Sequence, residues 1–387
     1  MSYIEGRVVH DADSHVMETP DWLSAFAADG LYKRLESLML AQVGELGVEE
    51  LTRCRSLHAD SDYRSQDAVE ILQRKNWRAT GSFLRQDRAE AVDLLGVASQ
   101  LVFPTLCNVM LETLEGQDDM ELLYGAASST NRAQVEFCSV DPRLLPAGYL
   151  PLADLERAPV AAAEALELGC QGLVIPSACP RHHATSHIAL DRVWAQLEEA
   201  GIPLLFHVGA ADQVLPPAHA NNGLPPVLDF HGGGENFRSI SYMAIPSRPM
   251  QALSLLILDG VLDRFPKMMV GVIELGAVWV PGFLRQLDAA VASFGRGEER
   301  LRNLSAAPSE IFRRQVRVTP YPTEPTGWII EESGPEICMF STDYPHVEGG
   351  RNPVRRFEST LEDFPMDSLD RFFRKNFESL MGSNVPA

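Results

Sequence analysis

The chain has 387 residues, with 33 Lys and Arg against 53 Asp and Glu, a formal charge of −20. That balance excludes a nucleic-acid or anionic-membrane surface as the main partner, because phosphate binding needs clustered basic side chains. With 45% apolar and 22% charged residues the composition is globular, and a disordered chain is excluded as well. The opening residues MSYIEGRVVHDADSH lack a basic segment followed by an apolar one, so no secretory signal is read. The six cysteines show no CxxC pair and read as reduced thiols of a cytoplasmic protein. The longest apolar stretch, 268–284, contains Glu274 and Pro281 and is too broken for a membrane span.

In chain order, the first strand is predicted over 7–13, and a polar, helix-patterned insertion, 19–86, separates it from a helix at 87–95. Strand 98–103 leads to helix 123–137, strand 144–150 to helix 155–168, and strand 172–176 to helix 189–200. Strand 203–207 is followed by a second insertion, 209–247, rich in Gly, Pro, Ala and Asn, and then by helix 250–263. Strands 268–273, 314–318 and 337–341 precede helices 281–292, 325–332 and 352–361. A last helix, 369–381, is expected to pack on the outside. Eight strands alternating with eight helices predict an α/β fold, a (β/α)8 TIM barrel, as one domain over 1–387. The insertions are expected to act as lids or substrate loops, and the apolar, Pro-rich 215–227 segment as a hydrophobic wall.

A barrel gathers the C-terminal ends of its strands at one mouth, so the residues there are read together. Strand 1 runs into Asp13-Ser14-His15, and a period of two puts Asp13 and His15 on one side. Glu18 follows in the run DADSHVME. Strand 5, IPLLFHVG, ends in His207, and strand 6, MMVGVIELG, ends in Glu274. Strand 8, ICMFSTDYPH, ends in Asp343, with His346 three residues on. Taken singly, Asp13 or Asp343 fits a turn and His207 a hydrogen-bonded core histidine. Glu274 is harder to place, since an uncompensated carboxylate in an apolar run calls for a cation. Together these groups predict a metal site. Three or four carboxylates over-neutralise one divalent ion, which favours a dinuclear centre.

The motifs DADSHVMETPDWL, IPLLFHVG, FPKMMVGVIELGAVWVP and MFSTDYPHVEGG resemble the amidohydrolase-related, metal-dependent TIM-barrel family. That family includes decarboxylases of the aminocarboxymuconate-semialdehyde type. Its strand-1 His-x-His corresponds here to Asp13 and His15, its strand-5 histidine to His207 and its strand-8 aspartate to Asp343. Its water-activating strand-6 histidine is replaced by Glu274. The same departures mark a branch of non-heme diiron monooxygenases of bacterial diterpenoid (platensimycin/platencin) biosynthesis, and the chain is most similar to that branch. The resemblance implies an oxidoreductase in which Asp13, His15, His207, Glu274, Asp343 and His346 hold two Fe ions. It would hydroxylate an unactivated C–H bond of an apolar terpenoid or acyl substrate carried as a coenzyme A thioester.

Dioxygen and an external electron donor would then be required, as no flavin, nicotinamide or iron–sulfur motif is present. Glu18 is a further candidate ligand, and His231 joins Glu274 and His346 as a candidate catalytic group. The alternative is a hydrolase or decarboxylase with one or two Zn or Mn ions and Glu274 as general base. A third reading, a scaffold that has lost catalysis, predicts a folded chain without metal. His231-Gly232-Gly233-Gly234 looks like a lipase oxyanion loop, but no GxSxG elbow accompanies it. Arg181-His182-His183, and Arg351, Arg355 and Arg356, are weak phosphate candidates. A homodimer is the default oligomer.

Overall fold

Near-continuous apolar strands need cover on both faces. The computed structural model describes residues 2–209, 215–225 and 239–386. Seven parallel strands form its sheet: β1 His10–Val16, β2 Ser99–Pro104, β3 Leu144–Tyr149, β4 Gly172–Val174, β5 Leu204–His207, β6 Val270–Ile273 and β7 Val316–Val318. They pair in sequence order from β1 to β7. Alternate residues serve opposite faces. Leu101 and Phe103 of β2 join an inner cluster with Leu145, Ala147, Leu205 and Ile273. Val102 packs instead with Leu144, Leu173, Phe206 and Val270, and with Trp194 and Leu253 of the surrounding helices. The fold is a curled parallel sheet wrapped by helices, TIM-barrel-like in form.

Four expectations are corrected. The eighth expected strand, 337–341, forms no ladder. It runs between β7 and β1 on isolated bridges, Val318 to Cys338 and Ser14 to Tyr344. Its Phe340 N–H is diverted to Phe372 O (2.9 Å), which leaves fewer amides for pairing. β1 covers residues 10–16 rather than 7–13, so His15 lies within the strand, past an irregularity between Asp11 and Ser14. Leu106–Glu115, where no helix is predicted, is helical and buries Met110, Leu111 and Leu114.

The carboxy-terminal helical run, Met366–Asp370, Arg371–Lys375 and Asn376–Met381, does not lie outside. Phe377, Leu380 and Met381 join the inner cluster, and Phe377 stacks on His10 at the start of β1. Their spacing puts three apolar groups on one helical face, which covers the barrel floor.

Residues 19–86 consist chiefly of the helix Asp29–His58, broken at Gly44 (φ 66°), and of short helical turns. Of residues 209–247, the described part includes the helix Ser239–Ala244. No helix among the described residues is long and apolar enough to cross a membrane.

Candidate metal centre

β1 carries Asp13 and His15 to the same side of the mouth, both buried. β5 ends on His207, which pairs with Ile273, so Glu274 emerges beside it from β6. Glu274 and Asp343 adopt φ of 56° and 52°, values uncommon outside glycine and found where surrounding contacts hold them. Those contacts are specific. Glu274 N–H donates to Thr319 Oγ1 (2.9 Å), and the Tyr321 hydroxyl donates to Glu274 O (2.6 Å). Asp343 N–H donates to Asp13 O (2.9 Å). Just before it, Thr342 gives its N–H (2.7 Å) and hydroxyl (2.5 Å) to Asp11, which also accepts from Gln100 (2.8 Å).

Two overlapping groups of four result, Asp13, His15, His207 and Glu274, and His15, Glu274, Asp343 and His346. In each, one ligand atom per residue lies within 4.8 Å of all the others. His15 Nε2 is 3.1 Å from Asp13 Oδ1, 3.5 Å from Glu274 Oε2 and 3.6 Å from Asp343 Oδ1. His207 Nε2 is 3.3 Å from Glu274 Oε2 and 3.5 Å from Asp13 Oδ1. His346 Nδ1 is 3.1 Å from Asp343 Oδ1.

Burial decides the charges. His15 is driven well below the usual histidine range, first by desolvation and then by the adjacent His346. Burial alone would raise Asp13, but the imidazoles of His15 and His207 beside it hold its carboxyl low. Asp343 is raised by burial, opposed by His346. Asp11 is pushed up to about 7, chiefly by burial. Lys75 is brought down to about 8 by burial, opposed by Asp343 and Glu348, and it donates to Gly350 O (2.6 Å).

The donor set fits a divalent ion. His207 Nε2 is buried without a hydrogen bond, and neither oxygen of Asp343 has one of good geometry. Three carboxylates and three imidazoles converge there, and a buried set of that kind needs a cation between its members. Mixed nitrogen and oxygen donors suit zinc, manganese and other first-row ions.

Of the seven expected ligands, the structure brings together Asp13, His15, His207, Glu274, Asp343 and His346. Glu18 is not among them. Its carboxylate accepts the backbone N–H groups of Thr105 (3.0 Å), Leu106 (2.9 Å) and Cys107 (3.0 Å) and so caps the helix Leu106–Glu115. His231 and the glycines after it lie outside the described residues, as does part of the 215–227 wall. Arg181 pairs with Asp118, and Arg351, Arg355 and Arg356 are exposed. Sequence reasoning missed Thr319 and Tyr321, although both follow the predicted seventh strand. It also missed Glu324, which accepts from the Ala277 and Tyr321 amides (both 2.9 Å) and the Tyr242 hydroxyl (2.8 Å).

A family profile described as amidohydrolase matches residues 11–376. A search of curated proteins finds no match. Among solved structures, an amidohydrolase from Mycobacterium avium subsp. paratuberculosis K-10 superposes with a TM-score of 0.73 at 19% identity, covering 98% of this chain and 100% of its own. The 5-carboxyvanillate decarboxylase of Novosphingobium aromaticivorans DSM 12444, complexed with manganese and 4-hydroxy-3-methoxy-5-nitrobenzoic acid, gives 0.63 at 19% identity over 97% and 96% of the two chains. A dihydroxybenzoic acid decarboxylase from Polaromonas sp. JS666, with manganese and 2-nitroresorcinol bound, gives 0.61 at 15% over 97% of both.

These matches overturn the expected diiron monooxygenase. The family is that of amidohydrolases and the neighbours include manganese-bound decarboxylases, so the oxidoreductase class and the diterpenoid branch fall away. The buried His/Asp/Glu site stands, but two Fe ions are not supported. Nor do the comparisons support a coenzyme A thioester, dioxygen, an electron donor or a homodimer. Asp13 and Glu274 in place of two histidines change the donor atoms without setting the metal or the reaction type.

Proposed function

The chain belongs to the amidohydrolase family, and from that membership we propose that it is a divalent-metal decarboxylase of a small carboxylic acid, using zinc or manganese. The observation that carries this reading is the convergence of Asp13, His15, His207, Glu274, Asp343 and His346, all buried, at one end of the barrel. The decarboxylases among the structural neighbours support it.

Asp13, His15, His207, Asp343 and His346 would hold the ion. A divalent ion bound there supplies Lewis-acid polarisation of a substrate carboxylate, or of a water. The chain's own task is the proton. Loss of CO2 from R–COO⁻ leaves a carbon that must gain one, giving R–H. Glu274, held by Thr319 and Tyr321 at the edge of a cleft with Asp13 and Asp343, is the group that delivers it. Pro320, Tyr321 and Pro322 line the same cleft and exclude water from one side. In this reading the chain is one barrel domain, and part of the 19–86 segment walls the mouth. Support for that wall comes from Asn76 N–H, which donates to Pro345 O (3.0 Å), and from the Lys75 contact to Gly350.

Glu274 equally suits acceptance of a proton from water, which keeps hydrolysis as the second reading. The test is to load the full chain with Mn(II) or Zn(II) and to incubate it with small carboxylic acids, hydroxylated benzoates first. Released CO2 is the expected product. Amide or ester cleavage without CO2 would establish the hydrolase instead, and failure to bind either ion would overturn both.

A further inference from the structure

His15 and His346 lie side by side, with ring centroids 3.9 Å apart and planes tilted by 34°. Each turns one nitrogen toward the carboxylates, Nε2 of His15 to Asp13 and Nδ1 of His346 to Asp343, both at 3.1 Å. Their other nitrogens meet at a single atom. Thr105 Oγ1 is 3.3 Å from His15 Nδ1, 3.1 Å from His346 Nε2 and 2.9 Å from the carbonyl oxygen of Val16.

We propose that Thr105 is a positioning residue of the metal centre, its one hydroxyl orienting two imidazoles with their lone pairs toward the ion. The claim rests on the proposed function only in taking the carboxylate side as the ion's side. Proton counting carries it. A hydroxyl has one proton and two lone pairs. The Val16 carbonyl can only accept, so the proton goes there. Both lone pairs then receive N–H groups, from His15 Nδ1 and His346 Nε2. A neutral imidazole that donates from one nitrogen presents a lone pair at the other. His15 Nε2 and His346 Nδ1 become the ligating atoms, and such outer partners fix both tautomer and ring orientation.

Thr105 is itself fixed. It stands between β2 and the helix Leu106–Glu115, and its N–H is one of the three amides that Glu18 accepts. Glu18, expected to bind the metal, instead anchors the residue that aims two ligands. His207 is set separately, because its Nδ1 lies 2.8 Å from Val208 O. It is therefore an internal control. Without metal, the Asp13 carboxylate draws a proton toward His15 Nε2 and Thr105 opposes it, so the tautomer reports directly on the hydroxyl.

The experiment is ¹⁵N-histidine NMR of the metal-free full chain, with His15, His207 and His346 assigned by substitution, alongside Zn(II) titration calorimetry. Wild type, Thr105→Ser and Thr105→Val are compared. Wild type and Thr105→Ser should show Nδ1–H at His15 and Nε2–H at His346. Thr105→Val should lose both preferences while His207 keeps Nδ1–H, and its Zn(II) Kd should rise by about 10–100-fold, with Thr105→Ser near wild type. Wild-type tautomers or wild-type affinity in Thr105→Val overturn the assignment, as does a Thr105→Ser that behaves like Thr105→Val. A wild-type chain that binds no ion overturns the proposed function, and the metal-free tautomers still decide the role of Thr105.

Discussion

Glu274 sits at a left-handed φ with its N–H and carbonyl both committed, to Thr319 and Tyr321, which fixes the direction of its side chain. Glu274→Gln keeps the shape and removes the carboxyl group's ability to give or take a proton. It should retain bound metal and lose about 10²–10⁴-fold in kcat, the usual worth of a general acid or base. Elemental analysis beside turnover separates this from a ligand role, in which metal is lost as well. Glu115 shows how burial acts elsewhere at the mouth. Desolvation pushes its carboxyl up to about 8, against 4.5 in the unfolded chain, although the Leu152 amide opposes the shift. The folded state therefore keeps a proton that the unfolded state releases between pH 4.5 and 8. Stability falls as pH rises across that window and is level above it. Glu115→Gln should flatten the decline and leave the variant more stable than wild type at pH 8. Tm measured from pH 5 to 8 checks both points, and parallel curves for the two proteins would refute the argument.

At the scale of elements, the helix Leu106–Glu115 connects the outer frame to the site. Its first amides end on Glu18, and its Asn108 donates to Val208 O (2.9 Å) beside His207. Glu18→Ala would strand three inward amides and should cost about 2–4 kcal/mol in urea unfolding, more than a surface cap. Metal stoichiometry should stay at the wild-type value, which separates the capping role from that of a ligand. The turn after the eighth segment is similarly tight. A side chain at Gly349 would run into the Thr342 carbonyl, next to Asp343. Gly349→Ala should therefore lower Tm and weaken Zn(II) binding together, because the same turn carries the ligand. Weaker binding at unchanged Tm would contradict that coupling.

For the molecule as a whole, a curled sheet of parallel strands brings distant residues to one rim. Candidate ligands drawn from residues 13 to 346 meet within a few ångströms because parallel strands end at one rim. That meeting carries a cost, since three carboxylates are packed together out of water. A bound ion compensates for it, so metal and fold are thermodynamically linked. Chelation should lower Tm, and readdition of Zn(II) or Mn(II) should restore it, returning about 4 kcal/mol of stability when the ion is a thousandfold above Kd. An unchanged Tm on chelation of a metal-loaded sample would show that the cluster is stable without a cation.

Seven of the eight expected strands, and the residues at their ends, were legible from amino-acid order alone. Apolar alternation is local, and a period of two places Asp13 with His15 without any distant partner. The sequence also contained the apolar spacing of Met110, Leu111 and Leu114, which went unread as a helix. Other features have causes far away in the chain. Glu18 looked like a ligand because it follows DADSHVM, and only the tertiary structure sets a helix N-terminus against it, almost ninety residues on. The 337–341 segment has a strand's composition, yet Phe340 spends its amide on Phe372. The carboxy-terminal helix was amphipathic in sequence, but only packing showed that its apolar face covers the barrel floor. The residues that gather at the mouth were legible, and the reaction type was not. The residues at the strand ends fix which atoms can bind an ion, while the chemistry depends on how Glu274, Thr105 and the cleft are arranged around it.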